Sequence, residues 1–367
     1  MTQMKTIARV LFLLATTMAS SQQYRDTHTF EVDVFRGNIM LHSPDLAQVI
    51  TGHPEGLMLS LARKTHGDED WHDIYNFPDY GAYILYQNFN STILGKNYAA
   101  GAFYNFYFLR RHVSFKVAQG IALTTNPYDK VTNFKNGAFG SRFMANTNFA
   151  LNYKKENIID RFGIQAGLMF THFSNGRLKS PNSGINTYNL NLGIHYNFEN
   201  APNKPKDSVA FKTKLTEPIR YNLLLRTGFN ESLSVGSGQK PFYHIGFHLD
   251  KRLNRKSAIQ LGSELFLTTS YKEYIRFRAT AFPEKPIDRN TDYKRAGIFI
   301  GHELFINRLS IEAQVGYYIY DPAKLDSSIY DRLGMKYYIT RKIYTGLSVK
   351  THGFLAEALE LVMGVRL

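Results

Sequence analysis

The chain has 367 residues, no cysteine, and a formal charge of +14, with 24 Tyr and 27 Phe. That length suits two ordinary soluble domains or one large barrel, and the lack of cysteine removes disulfides and thiolate metal sites from consideration. The basic residues are dispersed and no nucleic-acid motif accompanies them, so the charge points to anionic lipid surfaces and not to nucleic acid.

The first element is an export signal. Lys5 and Arg9 precede the apolar run Val10 to Ala15, and small residues follow at Ala19, Ser20 and Ser21. This order marks a secretory signal peptide over residues 1–21, cleaved near Ser21. Its loss takes away Lys5 and Arg9, so the charge falls from +14 to +12. No later segment approaches the roughly 20 apolar residues that a membrane-spanning helix needs.

The remainder alternates apolar and polar residues in short segments separated by Gly, Asn, Asp, Lys and Pro, the pattern of half-exposed strands. Candidate strands run near 28–40, 56–66, 80–90, 97–109, 113–125, 141–153, 160–175, 184–198, 220–231, 242–252, 258–271, 294–306, 309–320, 330–340, 343–352 and 358–367. Three show the two-residue period most clearly. Phe143, Ala145, Phe149, Leu151 and Tyr153 share one face against Arg142, Asn146, Asn148 and Asn152. Leu309, Ile311, Ala313, Val315, Tyr317 and Ile319 face away from Ser310, Glu312 and Gln314. Leu359, Leu361, Met363, Val365 and Leu367 face away from Glu360 and Arg366. An apolar face suits lipid and a polar face suits a lumen.

Loop lengths agree with this reading. The turns at 110–112, 154–159, 254–256, 307–308 and 341–342 are short, whereas the gaps at 126–140, 272–293 and 321–329 are longer. Outer-membrane barrels have this asymmetry. Two stretches on the short side, 67–79 and 199–219, break it. The expected fold is all-β, an antiparallel transmembrane outer-membrane barrel of about 12–16 strands. It is expected to be one barrel over 22–367, made of 29–199 and additional strands over 220–367. The alternative is two eight-strand units joined by the Lys- and Pro-rich stretch Asn200–Pro218.

In the segment 160–175 the even positions Phe162, Ile164, Ala166, Leu168, Phe170, His172 and Ser174 share a face, which places His172 and Ser174 on the lipid side. On the next strand Tyr188, Leu190, Leu192 and Ile194 form the lipid face, with Asn186 as its outermost member. Three polar groups in that position are costly in lipid without a purpose. Ser174 can serve as nucleophile, His172 as its general base and Asn186 as the group that orients the imidazole. Asn175, Gly176 or nearby backbone N–H groups can meet an oxyanion.

The motif His172-Phe173-Ser174-Asn175-Gly176, followed by Pro181-Asn182-Ser183-Gly184-Ile185, resembles the active-site hairpin of the lipid A 3-O-deacylase family. The likeness spans roughly residues 29–199. The later half is similar to longer acyloxyacyl hydrolase-like proteins of Bacteroidetes type. The resemblance implies an outer-membrane enzyme that cleaves a fatty acyl ester of lipid A or lipopolysaccharide, with His172 as base, Ser174 as nucleophile and Asn175 at the oxyanion. It implies no metal and no cofactor, and outer-membrane lipids as its surroundings. One position departs from the family: its third member is Glu, and here it is Asn186. An Asp-to-Asn change in a serine protease triad costs about 10⁴ in kcat, largely through the wrong imidazole tautomer. A channel, transport or structural barrel with a vestigial hydrolase hairpin is the alternative.

Other signals are weaker. His352 sits near the start of the last hairpin beside Lys350, on the lumen side, as a polar network member. His66, Asp68, Glu69, Asp70, His72 and Asp73 read as a solvated turn, and Trp71, the single tryptophan, as its interfacial anchor. Arg226, Glu303, Glu312, Lys350, Glu360 and Arg366 are expected to pair inside a lumen.

Overall fold

The computed structural model describes residues 27–199, 217–284, 286–353 and 355–367. The expected signal peptide and cleavage point, and all but the end of Asn200–Pro218, lie outside these residues. The strands are β1 (His28–Ile39), β2 (Glu55–Arg63), β3 (Asp79–Asn88), β4 (Lys96–Phe108), β5 (Val113–Thr124), β6 (Phe143–Ile159), β7 (Phe162–Ser174) and β8 (Ile185–Asn197). After the linker come β9 (Arg220–Asn230), β10 (Lys240–Arg252), β11 (Ser257–Thr268), β12 (Arg295–Ile306), β13 (Leu309–Tyr320), β14 (Ile329–Tyr338), β15 (Ile343–His352) and β16 (Leu355–Arg366). Among the described residues two α-helices interrupt the pattern, α1 (Asp70–Ile74) between β2 and β3 and α2 (Thr269–Ala281) between β11 and β12, and a short 3-10 helix, Pro44–Val49, lies between β1 and β2.

The single barrel expected over 22–367 gives way to two. β1 pairs antiparallel with β8, from Thr29 opposite Asn197 to Ile39 opposite Thr187, and closes the first barrel. β16 pairs with β9, from Leu361 opposite Thr227 to Arg366 opposite Asn222, and closes the second. Strand alternation and loop asymmetry are the same for one ring of sixteen and two rings of eight. What separates them is where β1 finds its partner. An eight-stranded ring is just wide enough for its lumen to be filled by side chains, and both lumens are filled.

The first lumen is charged towards the short-turn end, where the buried Glu31 accepts from Lys116 at 2.7 Å and from Lys154 at 2.8 Å. Towards the long-loop end it is apolar, with Phe89 against Phe139 at 5.7 Å and against Phe173 at 6.0 Å between ring centroids. The second lumen is an ion-pair network. Arg226 meets Glu312 at 2.9 Å and also pairs with Glu264, and Arg332 meets Glu264 at 2.7 Å and Glu360 at 2.8 Å. Lys336 meets Glu303 at 3.1 Å, Arg366 meets Asp250 at 2.7 Å, and Lys350 pairs with Glu357. His352 accepts its place in this network from Tyr318, whose hydroxyl is 2.9 Å from its Nε2. Buried charges require such partners.

The outward faces carry Ile164, Leu168, Leu190, Leu192, Leu223, Leu261, Ile300 and Leu333, all exposed. Such a face is stable against lipid. The short turns place left-handed residues where two-residue hairpins need them, as at Asn307, φ 56°. β6 runs on to Ile159, so the segment Lys154–Ile159, expected as a turn, is strand, and the turn is Asp160-Arg161.

The two barrels touch at both ends. At the short-turn end the hydroxyl of Tyr75, just after α1, donates to Phe305 O at 2.6 Å, and Asn307 donates to Glu69 Oε2 at 2.8 Å. The unusually long connection 67–79 is therefore the part of the first barrel that reaches the second at this end. At the long-loop end the β7–β8 hairpin meets the β9–β10 loop, described below. The barrels consequently stand side by side with like ends level.

Candidate functional site

β7 alternates as its sequence requires: Ile164 and Leu168 are exposed, whereas Gln165, Met169, Thr171 and Phe173 are buried in the lumen. Phe173 wedges its ring against Phe89 inside the barrel, and this anchors the end of the strand. Its neighbours His172 and Ser174 are thereby turned to the outer face, as the two-residue period expects.

His172 lies directly opposite Asn186 in the β7–β8 ladder. Its Nδ1 donates to Asn186 Oδ1 at 2.6 Å, and its Nε2 accepts from Ser174 Oγ at 3.0 Å. With the amide oxygen facing the ring, the hydrogen sits on Nδ1 and the Nε2 lone pair faces the hydroxyl. This is the tautomer that a general base needs. Ser174 is 9% exposed, so the hydroxyl is sheltered yet reachable.

The hairpin after Ser174 is tied down from several sides. Asn175 N–H donates to Asn182 Oδ1 at 2.8 Å, and its side-chain amide donates to Ser141 Oγ at 2.9 Å and Lys179 O at 2.8 Å. Asn175 thus spends its donors inside the loop. Gly176 follows with φ +61°, and its missing Cβ would lie 2.8 Å from Leu359 Cβ of the second barrel. Gly184 has φ +69°, and a Cβ there would lie 3.2 Å from Ser174 Cβ and 3.3 Å from His172 Cε1. Glycine at 184 leaves room for the imidazole. The β5–β6 loop closes over the hairpin, with Ser183 N–H on Gly137 O at 3.0 Å and Gly184 N–H on Ala138 O at 3.2 Å. His42, from the β1–β2 loop, is 3.0 Å from Ser183 O through Nε2.

Of the residues singled out in the sequence, His172, Ser174 and Asn186 are brought into one outward-facing cluster, whereas Asn175 is buried within the hairpin and Gly176 packs against Leu359. Sequence reasoning missed His42, Ser141 and Asn182, which brace the hairpin. They lie on loops with no periodic signal, although Asn182 falls within the hairpin motif. The acidic turn has another use: Glu69 accepts from Trp71 Nε1 at 3.0 Å, and Trp71 is buried against Tyr80 and Tyr104. Trp71 thus packs on the barrel wall at the short-turn end.

Residues 55–195 match the family described as lipid A 3-O-deacylase (PagL), and residues 219–367 match acyloxyacyl hydrolase, C-terminal domain. The gap between the two matches coincides with the linker between the barrels. No curated protein matches the chain. Among solved structures, two mutants of the porin of Rhodopseudomonas blastica each align with 93% of this chain and 99% of their own, at 10% identity and a TM-score of 0.20. At that score the likeness carries no structural weight.

Proposed function

The chain belongs to the lipid A 3-O-deacylase family, and on that footing we propose that it is an exported outer-membrane ester hydrolase that removes a fatty acyl chain from lipid A by a Ser–His mechanism. The observation that carries this reading is the chain of two hydrogen bonds Ser174–His172–Asn186 on the lipid-directed face of β7 and β8. A lipid ester in the outer leaflet can reach that face without entering either lumen.

In this reading Ser174 Oγ attacks the ester carbonyl and passes its proton to His172 Nε2. The oxyanion is met by the Gly176 N–H, held in place by the braced Asn175. The tetrahedral intermediate collapses, and His172 gives the proton to the ester oxygen that leaves, which departs as a hydroxyl. Water, activated by the same imidazole, then hydrolyses the acyl-serine and releases the fatty acid. Asn186 keeps Nδ1 protonated throughout. The acyl chain lies along Phe170, Leu168 and Ala166 towards an open apolar groove of about 470 Å³ beside Leu192 and Gly193. Filled eight-stranded lumens favour this reading over a channel.

Mass spectrometry of lipid A from cells with and without the protein tests it. The expected result is loss of one acyl chain, abolished by Ser174→Ala and by His172→Ala in barrels that still fold. Deacylation that persists in Ser174→Ala, or lipid A unchanged by the wild type, overturns it.

A further inference from the structure

The second barrel reaches across the seam and holds the backbone of the hydrolase hairpin. Among the described residues four hydrogen bonds join the β7–β8 hairpin to the β9–β10 loop. Glu231 N–H donates to Arg177 O at 3.1 Å, Ser180 N–H donates to Glu231 Oε2 at 2.9 Å, Ser180 Oγ donates to Ser232 O at 2.7 Å, and Gln239 Nε2 donates to Leu178 O at 2.8 Å. Glu231 is buried, and its other carboxylate oxygen takes Gly238 N–H at 3.0 Å, which ties the same side chain to its own loop. Leu359 of β16 lies against Gly176 in the space a Cβ would need.

The hairpin needs this support. Gly176 and Arg177 are both left-handed, at φ 61°. A left-handed non-glycine residue costs of order 1–3 kcal/mol and persists only where its surroundings over-determine it. Arg177 is the residue whose carbonyl Glu231 fixes. This left-handed pair follows Ser174 by two and three residues, so its conformation sets where the Gly176 N–H points relative to the Ser174 hydroxyl.

We propose that the β9–β10 loop of the second barrel is a positioning clamp for the active-site hairpin, with Glu231 as the positioning residue. The proposal rests on the hydrolase reading above. It assigns the second barrel a role in catalysis without placing any of its residues against the substrate. Withdrawing the clamp lets Gly176 and Arg177 relax, so the oxyanion donor drifts while the lipid-binding face of β7 and β8 is untouched.

The full-length chain, folded in detergent, is assayed as wild type, Glu231→Ala, Glu231→Gln, Ser180→Ala and Ser174→Ala. Glu231→Ala is expected to lower kcat on lipid A by about 100-fold, the loss an ångström-scale misplacement causes, with KM within about twofold. Glu231→Gln keeps an oxygen for Ser180 N–H and recovers most of the rate. Ser180→Ala, a milder change that serves if Glu231→Ala does not fold, loses several-fold in kcat. Labelling of Ser174 by a fluorophosphonate supplies a readout that needs no lipid A: slow labelling of Glu231→Ala, restored in Glu231→Gln, supports the clamp. Labelling and turnover equal to wild type in both Glu231→Ala and Ser180→Ala overturn it. An equal loss in Glu231→Gln and Glu231→Ala overturns the assigned role of the carboxylate oxygen. A wild type that labels at Ser174 in a clamp-dependent way but leaves lipid A intact sinks the substrate assignment alone.

Discussion

His172 and Asn186 face each other across the β7–β8 ladder, and it is the amide oxygen of Asn186 that meets the ring, at 2.6 Å. An Asn in this position is harmful in a serine protease because it selects the wrong tautomer. Here the oxygen accepts from Nδ1, so the tautomer is correct and only the charge of the family's Glu is missing. A charge-assisted hydrogen bond exceeds a neutral one by about 1.4 kcal/mol, a factor of about ten in rate. Asn186→Asp is therefore expected to raise kcat about tenfold, read as fatty acid released per unit time. Asn186→Leu frees the ring and should cost about 100-fold or more. Equal rates in all three proteins would show that the third member does no chemistry.

Gly184→Ala is expected to damage the site more than the fold. The new methyl would stand 3.0 Å from Phe173 O, 3.2 Å from Ser174 Cβ and 3.3 Å from His172 Cε1 at a left-handed backbone position. The imidazole must shift, and the Ser174–His172 hydrogen bond lengthens. A loss of about 10- to 100-fold in kcat is expected, while the unfolding free energy in urea falls by about 1–2 kcal/mol. A variant as active as the wild type would mean that the ring has room the packing does not reveal.

The ion network of the second lumen sets the stability of that barrel. Arg332 meets Glu264, Glu360 and Gln314 at 2.7–2.8 Å and is fully buried. Arg332→Ala leaves two buried carboxylates short of a partner, which costs about 3–5 kcal/mol. Arg332→Lys restores the charge but not the planar fork and should recover part of the loss. Urea unfolding of the folded barrel measures both. A loss under about 1 kcal/mol in Arg332→Ala would mean that Arg226 alone neutralises the cluster.

Burial lowers the pKa of His72 below its ordinary value, against the opposing pull of Glu69, Asp68 and Asp73. The neutral ring also accepts from Glu69 N–H at 3.4 Å, which closes the cap of α1. The unfolded turn therefore takes up a proton before the folded one does. The contribution of His72 is complete above the ordinary histidine value of about 6.5 and is lost as the pH falls through the lower, folded value. Trp71 is the single tryptophan and lies 4.3 Å from the His72 ring. Its fluorescence should stay level from pH 8 to about 6.5 and change only below that. A midpoint at or above 6.5, or a titration that survives His72→Gln, would reassign the effect.

Local pattern carried far. Among the described residues every strand but β6 begins and ends within about three residues of where alternation and turn residues place it, and His172, Ser174 and Asn186 fall on the outer face because side chains in a strand change sides at every residue. Helix α2 was not legible. Its sequence, Thr269 to Ala281, mixes Lys, Glu and Arg with Tyr, Ile and Phe in no clean helical period; its first three residues fall at the end of the strand expected over 258–271, and the rest in a gap that reads as a loop. The end of β6 was hidden for a related reason: Lys154, Lys155, Glu156 and Asn157 look like a turn, although the ladder with β7 reaches Ile159 through a bulge.

The Lys- and Pro-rich stretch Asn200–Pro218 allows the strands to close as eight and eight, but nothing local decides it. Closure depends on Thr29 meeting Asn197 and on Leu361 meeting Thr227, pairings far apart in the chain. The same holds at the site. The motif His172 to Gly176 suggests the proposed chemistry by itself, since identity and alternation are properties of neighbouring residues. The oxygen of Asn186 turned to the ring, the room at Gly184 and the grip of Glu231 on the hairpin arise only when separate strands and two separate barrels are packed together, because contact across a seam is a property of shape and not of order along the chain.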